Sequence, residues 1–428
     1  MRPYSRRIHL GNIGEQGWVV VGILAPLFIF SYMIRLSTGV LGPMLMADLA
    51  ISARELGLLA GAFFYAFGLA LLPVGMALDS FGPKRIIMST TLVAVVGCLL
   101  SWTAGGFTSL LVGRILLGLG MSSVLMGSLK IFTNWFRPDR FAFLAGLMLS
   151  LGNLGGLVAA TPLLLMADFF GWRDCFGYFS LFVLLMILLI FFFVSDHPPG
   201  RRAQVALDHQ TNRLRRRDAL PALKAIYGSP HLLIIGLSSY VRYGSLITIQ
   251  GFLGMLYLVD IVKCGPEKAG NILGMVSIGY LIGSPLAGRL SDTVVRSRKK
   301  VVVPGFFLFS LVMIPFLLET HLHIAWWYLI FGAIGLFSAT SAVNFAHAKE
   351  LFPAKISGTV LTSTNLFVML GAASGSQISG AILGMYPQTA TGYSFQAYQV
   401  VILCLACASF LAGLLYLLVK DTGSHQAR

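Results

Sequence analysis

The chain has 428 residues, of which 57% are hydrophobic and only 11% are charged. Because a soluble domain carries about 25% charged residues, this composition excludes a soluble enzyme, a disordered chain and a fibrous protein. Basic residues outnumber acidic ones by 31 to 16, which gives a formal net charge of +15. The five cysteines have no metal-like or paired spacing, and we expect neither a metal nor a cofactor (Cys98, Cys175, Cys264, Cys404, Cys407).

The first predicted element is a retained transmembrane helix. Residues 1–16 are short and basic and lead directly into a long apolar segment that lacks a small-residue cleavage site. Eleven further segments approach or exceed the roughly 20 apolar residues that cross a bilayer. They lack the alternation of barrel strands, so the sequence predicts an all-α membrane protein with twelve transmembrane helices: 18–46, 57–78, 86–105, 108–132, 141–167, 175–194, 231–258, 269–287, 301–318, 325–348, 357–382 and 396–419.

The distribution of basic residues predicts the orientation. With the N-terminus in the cytoplasm, most of the 31 basic residues fall in cytoplasmic stretches or at cytoplasmic helix ends, and the outer loops hold only Arg54, Arg173, Lys263 and Lys268. This bias follows the positive-inside rule. We therefore expect a multi-pass protein of the cytoplasmic (inner) membrane with both termini cytoplasmic, and the net charge needs no nucleic-acid partner.

The longest polar stretch divides the chain into two halves. We predict an N-terminal six-helix bundle over 1–195, a cytoplasmic basic linker over 196–230 and a C-terminal six-helix bundle over 231–428. The halves echo each other at about 210 residues, since Gly75-Met-Ala-Leu-Asp79 after helix 2 matches Gly288-Arg-Leu-Ser-Asp292 after helix 8. Internal duplication of this kind is typical of transporters.

Two motifs carry a resemblance to a known family. Gly75-Met-Ala-Leu-Asp79-Ser-Phe-Gly82-Pro-Lys84-Arg85 resembles the loop 2–3 signature of the major facilitator superfamily, and Gly113-Arg114-Ile-Leu-Leu-Gly118-Leu-Gly120 resembles its helix 4 motif. The resemblance implies two pseudo-symmetric six-helix bundles around a central cavity, lined mainly by helices 1, 4, 7 and 10, with alternating access. It also implies that Asp79 lies near the start of helix 11, around Ser357. Gating or conformational roles follow for Gly75, Asp79, Gly82, Lys84, Arg85, Arg114 and Asp292.

Within that superfamily the N-terminal half most resembles the organic-anion group of anion:cation symporters. The matching features are Tyr32-x-x-Arg35 and the segment Glu55-Leu-Gly-Leu-Leu-Ala-Gly-Ala-Phe-Phe-Tyr65. Ile34 and Met121 occupy positions where this group often has acids linked to proton coupling. The coupling ion, H+ or Na+, therefore stays open.

Charged residues within the predicted helices are candidates for the site, since a mid-membrane cation must face a cavity or a partner. Tyr32 and Arg35 share one face of helix 1, and the Arg35 guanidinium is suited to an anionic group. In the second half, Arg242 lies between Tyr240 and Tyr243. For both arginines the alternative is a structural contact with backbone carbonyls or neighbouring side chains.

Polar residues of helix 10 provide weaker candidates. Asn344 is placed to hydrogen-bond a solute, and His347 could titrate near neutral pH and contribute to coupling, although a histidine at an interface is more often structural. No Asp or Glu falls in the middle of a predicted helix. A cavity with arginines and no carboxylates favours anions.

The sequence therefore predicts a secondary transporter, expected as a monomer in the lipid bilayer, that moves a small organic anion by alternating access. Symport is the first expectation, and uniport or exchange also fits the missing acids. An exporter of an amphiphilic metabolite or siderophore is the nearest alternative, followed by a non-transporting membrane sensor of the same fold. A membrane enzyme would need a cluster of acids, histidines or a nucleophile–base pair, which the sequence does not show.

Overall fold

The computed structural model describes residues 10–137, 140–198, 226–318, 322–353, 356–388 and 392–422. Two of the sequence predictions concern residues outside these ranges. They are the basic segment before residue 10 and most of the predicted linker 196–230, of which residues 199–225 are not described.

The described residues form an all-helical bundle. Eleven helices are long and apolar enough to cross a membrane, and a twelfth span consists of two helices bent by 43°. This confirms the predicted twelve-helix architecture. The spans, numbered in chain order, are Gln16–Val40, Ala53–Phe81, Pro83–Trp102, Phe107–Trp135, Phe143–Ala159 with Thr161–Phe170, Trp172–Phe193, Pro230–Asp260, Pro266–Val294, Lys299–Leu317, Ile324–Glu350, Thr359–Leu383 and Phe395–Tyr416.

Several spans are built from more than one helix. The α-helices run Leu10–Val40, Gly42–Leu49, Ala53–Phe81, Pro83–Trp102, Phe107–Met121, Val124–Trp135, Phe141–Ala159, Thr161–Phe170, Trp172–Phe193, Pro230–Thr248, Gly254–Asp260, Pro266–Arg289, Lys299–Val312, Ile314–Leu317, Ile324–Ser338, Ser341–Glu350, Ser357–Leu383 and Phe395–Tyr416. Single π-helical turns, Ile249–Leu253 and Leu290–Val294, interrupt spans 7 and 8.

The break in span 5 has a local cause, and the π-turn in span 7 lies at a close contact between the halves. Pro162 begins the second helix of span 5, and proline can neither donate to the preceding turn nor avoid its carbonyl. The π-turn of span 7 places Gly251 directly against Gly39 of span 1, where a side chain on Gly39 would collide with the Gly251 carbonyl. Such π-turns commonly accompany functional sites, and this one sits where the two halves touch.

The two halves pack tightly at one membrane face. Span 2 meets span 11 through glycines, since a Cβ on Gly57 would lie 2.7 Å from the Ser376 carbonyl oxygen and one on Gly61 would lie 2.6 Å from that of Ala373. Small residues let helices approach this closely in lipid. This membrane face carries the loops between spans 1 and 2, 7 and 8, and 11 and 12. We call it the opposite face, because it lies opposite the face at which span 6 ends.

The same helices separate toward the other face, which we call the linker face because span 6 ends there. Gly75 lies on the side of span 2 that also carries Gly57 and Gly61, yet a Cβ on Gly75 would meet nothing described within 4 Å. Span 8 repeats the pattern: a Cβ on Gly270 would lie 3.0 Å from Thr161 of span 5, whereas one on Gly288, five turns further, meets nothing described. Within the described residues, the halves therefore pack less closely at these two positions toward the linker face than at the opposite face.

Candidate functional site

Arg35 lies in span 1, five residues before that span ends at Val40, and is almost entirely buried, with 6% of its surface exposed. Its guanidinium lies 4.5 Å from the ring centre of Phe67 and 5.5 Å from that of Tyr32. The Nε atom is buried without a hydrogen-bond partner, and within the described part of the chain no ion pair or hydrogen bond engages the group. Arg35 is thus held by aromatic faces, and its donors remain available.

Tyrosines of the second half lie near Tyr32. The phenol of Tyr32 is within electrostatic range of those of Tyr243 in span 7 and Tyr280 in span 8. The Tyr280 hydroxyl lies 3.3 Å from that of Ser341 in span 10. Tyr32, whose ring faces the Arg35 guanidinium, therefore connects it to hydroxyl-bearing side chains of three further spans.

A second group of neutral polar side chains lies where spans 2, 7 and 11 meet. Tyr65 donates to the Gln377 side-chain oxygen at 2.9 Å, and Tyr240 and Ser374 share a short hydrogen bond. Tyr65 and Tyr240 interact with each other. Across the described residues of both groups, no carboxylate is present.

Six residues of these two groups were not predicted from the sequence: Tyr65, Phe67, Tyr280, Ser341, Ser374 and Gln377. Tyr65 is the last residue of the segment Glu55–Tyr65 that carries the family resemblance. Its position in that segment was the one sequence feature that could have indicated a role in the site. Phe67, Tyr280 and Gln377 gave no signal, because aromatic and amide residues are common in membrane helices and their orientation depends on helix rotation.

Arg242 is oriented differently from Arg35. It is fully buried inside the C-terminal half, where Nη1 donates to the carbonyls of Gly305 at 2.8 Å and Phe337 at 3.1 Å. Its guanidinium lies 3.7 Å from the ring centre of Phe306. The structure thus presents the alternative arrangement, in which carbonyls of spans 9 and 10 hold the arginine.

Arg114 and Asn344 also serve contacts between helices. Arg114 is buried and donates to the carbonyl of Ile34 at 2.9 Å and to the hydroxyl of Ser37 at 3.1 Å, which joins span 4 to span 1. The Asn344 amide donates to Ser239 at 3.1 Å, while its side-chain oxygen is buried without a partner in the described residues. Arg114 therefore fits a conformational role better than substrate contact.

His347 is fully buried near the end of span 10. Nδ1 lies 2.8 Å from the Tyr416 hydroxyl and Nε2 lies 2.9 Å from the Lys420 carbonyl oxygen. Both ring nitrogens are therefore engaged with span 12 and the segment after it, away from Arg35.

The predicted gating residues at the linker face contact partners within their own halves. Asp79 forms an ion pair with Lys130. The expected contact of Asp79 with Ser357 concerns a side chain outside the described residues. Gly82 adopts a positive φ of 88°, and the Lys84 backbone N–H donates to the Asp196 carboxylate at 2.7 Å, while Arg85 is exposed.

The C-terminal half has its own ion-pair network at this face. Arg298, in the loop between spans 8 and 9, pairs with Asp292 and, at 2.6 Å, with Glu350 at the end of span 10. Hydrogen bonding to Glu350 raises the pKa of the Arg298 guanidinium above its ordinary value. Asp292, predicted as a gating residue, therefore joins the ends of spans 8 and 10.

Comparisons with known proteins agree with this architecture. The chain is 27% identical to a probable sulfoacetate transporter of Cupriavidus necator over 48% of each chain, so this match spans about half of that relative. It is 26% identical to a hexuronate transporter of Bacillus subtilis, over 67% of this chain and 69% of that one. A crystal structure of a bacterial homolog of the human lysosomal transporter Spinster superposes with a TM-score of 0.70 at 15% identity, covering 94% of this chain and 98% of that chain.

The sequence profile of the Major Facilitator Superfamily matches residues 24–263 and 241–428, which together take in nearly the whole chain. This confirms the resemblance seen in the loop 2–3 and helix 4 motifs. The chain belongs to the Major Facilitator Superfamily, and it is a multi-pass membrane transporter of the secondary type rather than an enzyme.

Proposed function

We propose that the protein binds a small organic anion at Arg35 and moves it across the cytoplasmic membrane by alternating access. The observation that carries the proposal is the Arg35 guanidinium, which is buried within span 1 with no hydrogen bond to the described chain. A buried cation without a partner is costly in a bilayer. A carboxylate or sulfonate accepting two parallel N–H bonds would remove that cost and match the planar group.

Electrostatics around the site support an anion. Every Asp and Glu within the described spans lies near a span end, such as Glu55, Asp79, Asp174, Asp292 and Glu350. The charges within the bundle are therefore those of the buried arginines Arg35, Arg114 and Arg242, and a cationic solute would meet repulsion. The sulfoacetate and hexuronate named for two relatives are both small organic anions.

The contacts between the halves support alternating access. The halves pack closely at the opposite face and less closely at the linker face. The distribution of basic residues predicts that the linker face is cytoplasmic. We assign the structure to a state open to the cytoplasm and propose symport with H+ or Na+. Because His347 has both nitrogens engaged, the proposal places no coupling role on it.

Substitution of Arg35 tests the anion site. In proteoliposomes, Arg35→Ala is expected to weaken binding and uptake of an organic anion by about 100-fold or more, since charge-assisted hydrogen bonds contribute about 1.5–3 kcal/mol each. Arg35→Lys keeps the charge but loses the planar pair of donors, so weak binding at most should remain.

Arg289→Ala serves as the matched control, because Arg289 is exposed at the linker-face end of span 8. It removes one cation without altering the centre and should bind and transport normally. Normal uptake by folded Arg35→Ala would disprove the anion site.

A further inference from the structure

The mid-membrane cations of this chain differ in how many of their donors are already used. Arg242 is held by two carbonyls, and Arg114 by the Ile34 carbonyl and the Ser37 hydroxyl. Lys130 lies toward the linker-face end of span 4, where it pairs with Asp79 and donates to the Leu78 carbonyl at 2.8 Å. Nε and Nη2 of Arg242 and Nη2 of Arg114 are unpaired in the described residues, but among these cations only Arg35 has no hydrogen-bond or ion-pair partner there at all.

The other polar groups near Arg35 are neutral. Tyr32 faces it, the phenols of Tyr243 and Tyr280 lie near that of Tyr32, and Ser341 lies 3.3 Å from Tyr280. Gln250, which donates to Ser277 at 2.7 Å, and the pair Tyr65–Gln377 are further neutral polar groups of spans 2, 7, 8 and 11, and we call all of these side chains the tyrosine and amide wall. Hydroxyl and amide groups exchange hydrogen bonds readily with alcohols, but they cannot balance a second full charge taken out of water.

From this arrangement we infer that the site selects organic monoanions with a hydroxyl-bearing body and discriminates against dianions of the same skeleton. The anionic group would bind Arg35, and the hydroxyl groups would face the tyrosine and amide wall. This rests on the proposed function and narrows its substrate class. The two relatives do not settle the matter, because hexuronate carries one charge and sulfoacetate two.

The test uses two ligand pairs in which a carboxylate replaces a CH2OH group: galactonate with galactarate, and isethionate with sulfoacetate. Each is measured by competition against a bound anion and by thermal shift of the purified full-length protein, since a ligand of the folded state raises its apparent stability. The monoanion of at least one pair should bind at least ~10-fold more tightly than its dianion, because the second charge has no cation to meet.

A variant with a second cation sharpens the test. Tyr280→Lys places an ammonium beside the wall and should reduce the monoanion preference, whereas Tyr280→Gln, which adds no charge, should not. The wild-type comparison stands by itself if either variant fails to fold.

The outcomes separate the two proposals. Equal or tighter binding of the dianions by the wild type overturns this inference and leaves the anion transporter intact. Failure of all four ligands and of every other organic anion in a screened panel overturns the proposed function, and this inference with it.

Discussion

Two arginines of similar burial are expected to respond differently to the same substitution. Arg242→Ala would remove the donor to the carbonyls of Gly305 and Phe337 and would empty the space over Phe306, although the Phe337 carbonyl keeps the Thr340 hydroxyl at 2.9 Å. Large-to-small substitutions in a packed interior typically cost about 2–5 kcal/mol, so the free energy of unfolding should fall by at least about 2 kcal/mol. Thermal unfolding in detergent, together with anion affinity per folded molecule, should show lower stability and an affinity changed by less than about threefold.

Arg35→Ala should show the reverse profile, with stability retained and affinity lost. If Arg242→Ala keeps its melting temperature and instead loses the anion, Arg242 belongs in the site with Arg35.

The sequence could predict that both arginines need partners, but not which ones. Membrane energetics require a buried charge to face a cavity or a polar group, and this applies equally to positions 35 and 242. What separates them is the rotation of spans 1 and 7 and the nearby carbonyls of spans 9 and 10, which depend on tertiary packing. The motif at Tyr32 and Arg35 was sufficient to propose these two residues for the site, whereas Tyr280 and Gln377 become candidates only from the structure.

At the scale of single helices, glycines determine where the halves touch. A methyl group on Gly57 would lie 2.7 Å from the Ser376 carbonyl and 3.0 Å from the Gly380 Cα. Backbone atoms cannot yield as a flexible side chain does, so Gly57→Ala should separate spans 2 and 11. Overpacking typically costs about 1–3 kcal/mol, and the melting temperature should fall.

Gly22→Ala is the matched control for this effect. Gly22 also lies within a span, but a Cβ there meets nothing described within 4 Å. Alanine favours helix by about 1 kcal/mol over glycine, so this variant should be as stable as the wild type or more so. Equal melting temperatures for both variants would argue against close packing at Gly57.

For the whole molecule, the twelve-span architecture was predictable because the lipid requires long apolar helices. The family motifs carried the expectation of two pseudo-symmetric halves. The state of the molecule was not predictable from sequence, since both states use the same residues. The expected contact of Asp79 with the start of span 11 stays a prediction, and in the described structure Asp79 pairs with Lys130.

Alternating access requires the opposite face to open during transport. Thr161 of span 5 donates a hydrogen bond to Asn271 of span 8 across this face, so cysteines at both positions would lie close enough to join the halves covalently. In a background where Cys264, Cys404 and Cys407 are replaced by serine, the oxidised double variant Thr161→Cys/Asn271→Cys should lose at least ~10-fold in uptake rate, because the disulfide prevents rocking of the halves.

The controls separate this effect from damage to the protein. Dithiothreitol should restore uptake, and each single variant should transport under both oxidising and reducing conditions. Anion binding should survive oxidation, since the linker face stays open. Uptake at an undiminished rate by protein shown by mass spectrometry to be fully crosslinked would mean that the halves do not part at this face during transport.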